Sequence, residues 1–402
     1  MAGDMREEAL QYHRAEPRGK TGIQVTKPCA TQHDLSLAYT PGVAAPVKEI
    51  ARDPSTAYEY TNKGNLVAIV SNGTSVLGLG NQGALASKPV MEGKAVLFKR
   101  FAGIDVYDIE IDSEDPQEII RVVERIAPTF GAICLEDIRS PECFEVERIL
   151  RERLPIPVFH DDQHGTAIVV AAALTNALEL TGRQFKSARI VLSGAGAAAV
   201  ATRRLLIRMG VQESNVMTCD SRGVIYEGRT ENMKQHKYEL AVKTEHRTIA
   251  DALVGADVFI GVSRGRTISG EMVQNMAESP VIFALANPEP EIAYDEAQRA
   301  RGTPIIATGR SDYPNQVNNV LAFPGVFRGA LDMRSREITE PMKAAAARAL
   351  AALARQPVPQ EVLDAYQIPS LSFGHEYILP KPLDPRVVEV VAQAVQDAAS
   401  GE

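Results

Sequence analysis

The stretch Ile190–Ala199, IVLSGAGAAA, constrains this chain most: an apolar run passes through two glycines directly into an alanine-rich helical segment. A strand that turns this tightly into a helix opens a β-α-β unit, and such units build parallel sheets covered by helices. The glycines stand as GxGxxA. Gly194 permits the tight turn, Gly196 lets a ligand approach the backbone, and Ala199 allows the helix to pack closely on the strand. The exposed N–H groups at such a helix start attract anions. Gly194, Gly196, Ala197 and Ala199 are therefore candidate residues for binding a dinucleotide pyrophosphate.

The flanking chain repeats the alternation. Strands are expected at Asn215–Thr218, Asp257–Ile260, Val281–Leu285 and Pro304–Ala307, with helices between them. Upstream, Leu66–Val70, Val106–Ile111, Ala132–Leu135 and Pro157–Phe159 read as strands, and Pro116–Ala127 and Cys143–Leu154 as helices. A long apolar helix is expected to open at His164 and close at Thr181-Gly182. The fold class is thus α/β: a Rossmann-type dinucleotide-binding domain with a parallel sheet, a smaller N-terminal α/β domain for substrate and metal, and a C-terminal helical extension. The 402 residues suit two domains at roughly 100–200 residues each. The expected seam divides 1–163 from 164–402, with the helical tail starting near 330.

Composition removes several function classes. The net charge is −8, tryptophan is absent and no long basic run occurs, so neither a nucleic-acid groove nor a polybasic membrane patch is expected. No apolar run approaches the ~18–20 residues that span a bilayer, and Met1–Lys20 lacks the apolar segment of a secretory signal. Cys29, Cys134, Cys143 and Cys219 form no CxxC pair and no disulfide framework, which points to a reducing, cytoplasmic setting.

Two acidic pairs, Glu136-Asp137 and Asp161-Asp162, each follow a short apolar run. Acids at strand ends facing one cleft make an oxygen-rich site for a hard divalent ion, with one member of a pair free for proton chemistry. Read singly, each pair is an ordinary solvated turn. Lys94 lies early in an apolar helix, where desolvation lowers a lysine pKa toward that of a base. Tyr39, before Thr40-Pro41-Gly42, is a candidate proton donor. Asn287, Asn318 and Asn319 stand in strand-end loops, where amides reach a substrate carboxylate or close an Asx-turn. Asp220 ends the strand after the glycine turn. An acid there favours the free 2′-hydroxyl of NAD, while Ser221 and Arg222 beside it suit the 2′-phosphate of NADP.

Taken together these segments resemble the malic enzyme family, bacterial form. The resemblance rests on LAYTPGVA at 37–44, LGLGNQG at 77–83, MEGKAVLFK at 91–99, LEDI at 135–138, FHDDQHGTA at 159–167, GAGAAAVA at 194–201, ALANPEPEI at 284–292 and GRSDYPNQVNNVLAFPGVFRGAL at 309–331, and extends to YILPKPLDPR at 377–386. It implies oxidative decarboxylation of (S)-malate to pyruvate and CO2 with NAD(P)+ and Mg2+ or Mn2+. By matched position, Glu136, Asp137 and Asp162 would bind the metal. Lys94 would be the base, with Asp161 beside it, and Tyr39 the acid. Asn287 and Asn319 would hold substrate. Ser75 stands where larger members carry a carboxylate-binding arginine, so weaker malate binding is expected. The segment Cys219–Tyr226 is similar to that of NADP-using members and favours NADP over NAD. Some bacterial members continue into a phosphotransacetylase-like domain; the resemblance here is to the malic enzyme unit without it. The family also implies a homodimer or higher homo-oligomer. Two other readings use the same scaffold: a malolactic-type or simple 2-hydroxy-acid dehydrogenase, and a non-catalytic nucleotide-binding regulator.

Overall fold

The computed structural model describes residues 2–401. Two sheets carry the fold. The first contains β1 (Leu66–Ser71), β2 (Asp105–Glu110), β3 (Ala132–Leu135) and β4 (Val158–His160), in the order β2-β1-β3-β4, and every pairing is parallel. The second contains β5 (Ile190–Ser193), β6 (Val216–Asp220), β7 (Gly223–Val224), β8 (Val258–Gly261), β9 (Val281–Ala284) and β10 (Ile305–Thr308). Its order is β10-β9-β8-β5-β6-β7, parallel except for the short β7. This is the Rossmann-type α/β architecture with a helical C-terminus.

Most of the strands form where they do because parallel strands covered on both faces need unbroken apolar runs; the edge strand β2, DVYDIE, is broken by acids and only partly buried. All residues of β1 are buried. Its alternate side chains enter different cores: Leu66, Ala68 and Val70 join Ile119, Val123 and Val146, while Val67 and Ile69 point the other way. The second sheet divides likewise, with Phe259 and Ile282 on an outer core and Ile260 and Phe283 facing inward. The two inward faces meet in one continuous core, which holds Val67, Ile69 and Phe98 together with Ile190, Leu192, Ile260 and Phe283. Phenylalanines fill the joint. The Phe98 ring lies 4.7 Å from Phe323 and 5.1 Å from Phe327, and Phe159 lies 5.5 Å from Phe327.

Two local expectations need correction. The long helix is Asp161–Leu180, so it starts three residues before His164 and takes Asp161 and Asp162 into its first turn. Acidic side chains complement the partial positive charge there, which explains why the polar pair extends the helix instead of preceding it. Lys94 lies past the middle of helix Ala84–Ala102, not early in it.

The N-terminal segment behaves differently. Helices Gln32–Ala38 and Ala44–Arg52 bury no residue, and Leu35, Leu37 and Val47 are each more than half exposed. Among the described residues, no helix is long and apolar enough to cross a membrane.

Candidate active site

The C-terminal ends of β3 and β4 lie side by side, with Leu135 opposite His160. Each strand releases its acidic pair at that edge. Glu136, Asp137 and Asp162 each offer an oxygen, and these atoms lie within 4.8 Å of one another. The Asp162 carboxylate also accepts the Asp137 backbone N–H at 2.9 Å. Among the described residues, Glu136 Oε2 and Asp137 Oδ2 find no hydrogen-bond partner although both are buried. Such orphaned oxygens are costly to bury. Burial, and then the neighbouring acids, push the Glu136 carboxyl well above its ordinary range and Asp137 up to about 8. Three crowded and under-neutralised oxygen donors match the needs of a hard divalent cation, so the residues present fit such an ion.

Lys94 faces this cluster from the first unit's long helix. Its Nζ donates to Glu136 Oε1 at 2.8 Å and to Asp161 Oδ2, and it sits 4.5 Å from the centre of the Phe323 ring. Asn319 Nδ2 donates to the same Asp161 oxygen at 2.8 Å. The apolar flanks of Lys94 suggest a lowered pKa; the structure reverses this. Burial does pull it down, but Asp161 and Glu136 outweigh burial and hold it well above its ordinary value. Gly165 completes the arrangement. A β-carbon there would collide with the Asp161 carboxylate and come within 3.1 Å of Asn319 Cβ. Gly165 escapes sequence reasoning, because its need is visible only once the helix is known to start at Asp161.

A second buried acid supports the junction from behind. Glu147 accepts the His160 N–H at 3.2 Å and Gln163 Nε2 at 3.0 Å, and lies 2.7 Å from His164 Nε2. Burial pushes its carboxyl up, yet His164 and Lys343 bring it to about 2. His164 thus belongs to a buried polar network with Glu147 and Lys343, whose Nζ lies 3.0 Å from His164 Nδ1.

The glycine turn borders a cleft of about 810 Å³ whose lining includes Gly194, Gly196, Asp220, Ser221, Arg222 and Ser263. Gly194 has φ +128, and a β-carbon there would come within 2.8 Å of Val262 O. At Gly196 a β-carbon would meet nothing within 4 Å, so this face of the turn is open to a ligand. Ala199 is fully buried. Helix Ala197–Arg208 has no side-chain cap on its first N–H groups, which leaves them for an anion. Glu291, another residue that motif reasoning passes over, is fully buried and accepts the N–H of Ser263 and of Ala286, both at 3.0 Å. It thereby ties together the loops after β8 and β9.

The remaining candidates are placed unequally. Ser75 is exposed, and its N–H donates to Asp137 O at 3.0 Å, beside the acidic cluster. Asn287 is exposed beyond β9. Asn318 uses its side chain on the Val320 N–H at 3.0 Å. Tyr39 stands apart: it ends helix Gln32–Ala38, is 70% exposed, and among the described residues has no hydrogen bond to Lys94, Asp161 or the acidic cluster.

Comparison with known proteins matches this geometry to one family. Residues 18–151 match the family described as malic enzyme, N-terminal domain, and residues 163–373 match malic enzyme, NAD binding domain. An NADP-dependent malic enzyme of Halomonas elongata is 57% identical over 399 residues, covering 99% of this chain and 94% of that protein. One of Rhizobium meliloti is 58% identical over 393 residues, and there the chain spans only 52% of the relative's length. The crystal structure of malic enzyme from Pyrococcus horikoshii superposes with a TM-score of 0.90 at 46% identity, covering 99% of this chain and 91% of that one. Both halves of the chain, in order, carry the sequence and the fold of one family: the chain belongs to the malic enzymes.

Proposed function

We propose that this chain carries out the oxidative decarboxylation of (S)-malate to pyruvate and CO2, with reduction of NAD(P)+ and dependence on a divalent ion. The observation that carries the reading is the buried Lys94, bonded at once to Asp161 and to Glu136 of the three-acid cluster. The reaction takes a proton from the malate hydroxyl, a hydride from C2 and CO2 from C4, and returns a proton to C3. Lys94 is the base for the hydroxyl proton. Asp161, fixed by Asn319, orients it. Glu136, Asp137 and Asp162 would hold Mg2+ or Mn2+, whose charge would supply Lewis acidity at the malate oxygens and offset the carboxylates that keep Lys94 protonated. Ser75, Asn287 and Asn319 bind the substrate carboxylates, and Asn287 and Asn318 border the nicotinamide.

Tyr39 is the acid for C3. Its exposure and its distance in the chain from Lys94 fit delivery from a second copy, so the site is shared within a homodimer. NADP is the favoured dinucleotide, through Ser221 and Arg222. The seam near residue 163 separates substrate and dinucleotide units, and the four unpaired thiols suit a cytoplasmic enzyme.

The test supplies malate, Mn2+ and each nicotinamide, and follows reduced cofactor, CO2 and pyruvate together. Equal amounts of all three are expected. Reduced cofactor without CO2 would point to a simple dehydrogenase, lactate to a malolactic enzyme, and binding without turnover to a regulator. Lys94→Ala is expected to lower turnover by at least about a hundredfold while dinucleotide binding persists.

A further inference from the structure

β4 ends in a histidine whose ring has nothing to bond. Strand alternation sends Phe159 into the central core and turns His160 to the side of Val158, where the core is built from Cys143, Val146 and Leu150. His160 is fully buried, and among the described residues neither Nδ1 nor Nε2 has a hydrogen-bond partner. An imidazole carries at least one N–H in either charge state, and a buried N–H left unpaired is costly. The backbone at this point is fixed, since the His160 N–H donates to Glu147 Oε1 at 3.2 Å.

One acceptor stands just out of reach. His160 Nδ1 lies 3.8 Å from Asp162 Oδ2, beyond the ~3.2 Å of an N–H···O bond. The same oxygen accepts the Asp137 backbone N–H at 2.9 Å, and Asp137 has φ +53, a left-handed conformation that few residues other than glycine adopt. Among the described residues no hydrogen bond falls on Asp162 Oδ1, so that oxygen keeps its lone pairs. The Asp162 side chain is 34% exposed and the His160 side chain 0%, so the ring stands behind the carboxylate. The atoms grouped closely enough to share an ion come from Glu136, Asp137 and Asp162, and not from His160.

We propose that His160 is the positioning residue of the metal site: its ring N–H and the Asp137 N–H together hold Asp162 Oδ2, which presents Oδ1 to the divalent ion. The proposal rests on the metal reading of the three acids. A ligating carboxylate held from behind binds at a fixed orientation, and loss of such a partner typically weakens metal binding tenfold to a hundredfold. A movement of the carboxylate by less than ~1 Å closes the gap to Nδ1, so ion binding and the histidine bond reinforce one another.

The test is calorimetric titration of the whole chain with Mn2+, in the absence of malate. His160→Phe and His160→Leu remove the donor at different side-chain volumes, and each is expected to weaken Mn2+ binding at least about tenfold. His160→Gln keeps an N–H and is expected to recover part of that affinity. Melting temperatures separate this role from packing: the metal-free variants are expected to melt near the wild type, while the rise on adding Mn2+ shrinks. The wild type is read directly as well. In nitrogen NMR spectra of the histidine rings, the signals missing from His160→Gln are expected to move on titration with Mg2+. Unchanged Mn2+ affinity in the folded variants without a donor, or ring signals that stay fixed while Mg2+ binds, overturns the role of His160 and leaves the metal reading standing. Absence of Mn2+ binding to the wild type, or binding that Asp162→Asn leaves unaltered, removes the metal reading and His160 with it.

Discussion

Asp161 can turn toward Lys94 only because position 165 carries no β-carbon. The two residues are one helical turn apart, and the space a methyl group would take is filled by the Asp161 carboxylate. Gly165→Ala is therefore expected to displace the group that orients Lys94. Misplacement by about 1 Å costs on the order of a hundredfold in rate, and crowding at a packed site costs about 1–3 kcal/mol. Steady-state kinetics and urea unfolding measure the two effects separately. An unchanged kcat in a folded variant would mean that the Asp161 contact is not used in turnover. Asn319 belongs to the same scale: its amide reaches Asp161 across 158 residues of chain, a pairing that no local spacing encodes.

At the scale of elements, the junction of β4 with helix Asp161–Leu180 positions the chemistry, and Glu147 on helix Glu142–Arg153 fastens it. Glu147→Ala would strand the His160 N–H, the Gln163 amide and the His164 ring together. A destabilisation of about 3–5 kcal/mol is expected in urea unfolding, with Glu147→Gln recovering part of it. Full stability of the alanine variant would show that solvent satisfies these groups. The central strands are legible in the sequence, since a parallel strand covered on both faces is an uninterrupted apolar run; Ala132–Leu135 falls where that run does. The start of the long helix is not, because Asp161-Asp162 after an apolar strand has the composition of a loop and only the favourable charge at a helix start draws it in. The acidic pairs and Lys94 are visible as residue types in motifs. Their electrostatics are not: Lys94 is charged by partners from two other segments. Arg229 and Lys237, which bond Asp220, follow β7, the first in an irregular loop and the second on the short 3-10 helix Gln235–Leu240, where no apolar periodicity points to the pairing.

Across the whole molecule, the N-terminal helices expose apolar side chains that no described residue covers, and Tyr39 stands among them. Leu37→Asp is expected to weaken self-association at least tenfold in sedimentation equilibrium and to lower activity in parallel, while each monomer stays folded. Mixed Tyr39→Phe and Lys94→Ala subunits are expected to regain activity on exchange; no recovery after demonstrated exchange would place both residues in one subunit. The central core has a different consequence. Because residues of both sheets pack in one apolar cluster, neither sheet can lose its inner face without exposing the other's. Denaturation should then proceed as a single cooperative transition in calorimetry, even though the chain carries two sheets. A dinucleotide bound at the second sheet would raise the melting temperature of the first by mass action, so occupancy at one end of the molecule is registered as resistance to unfolding at the other.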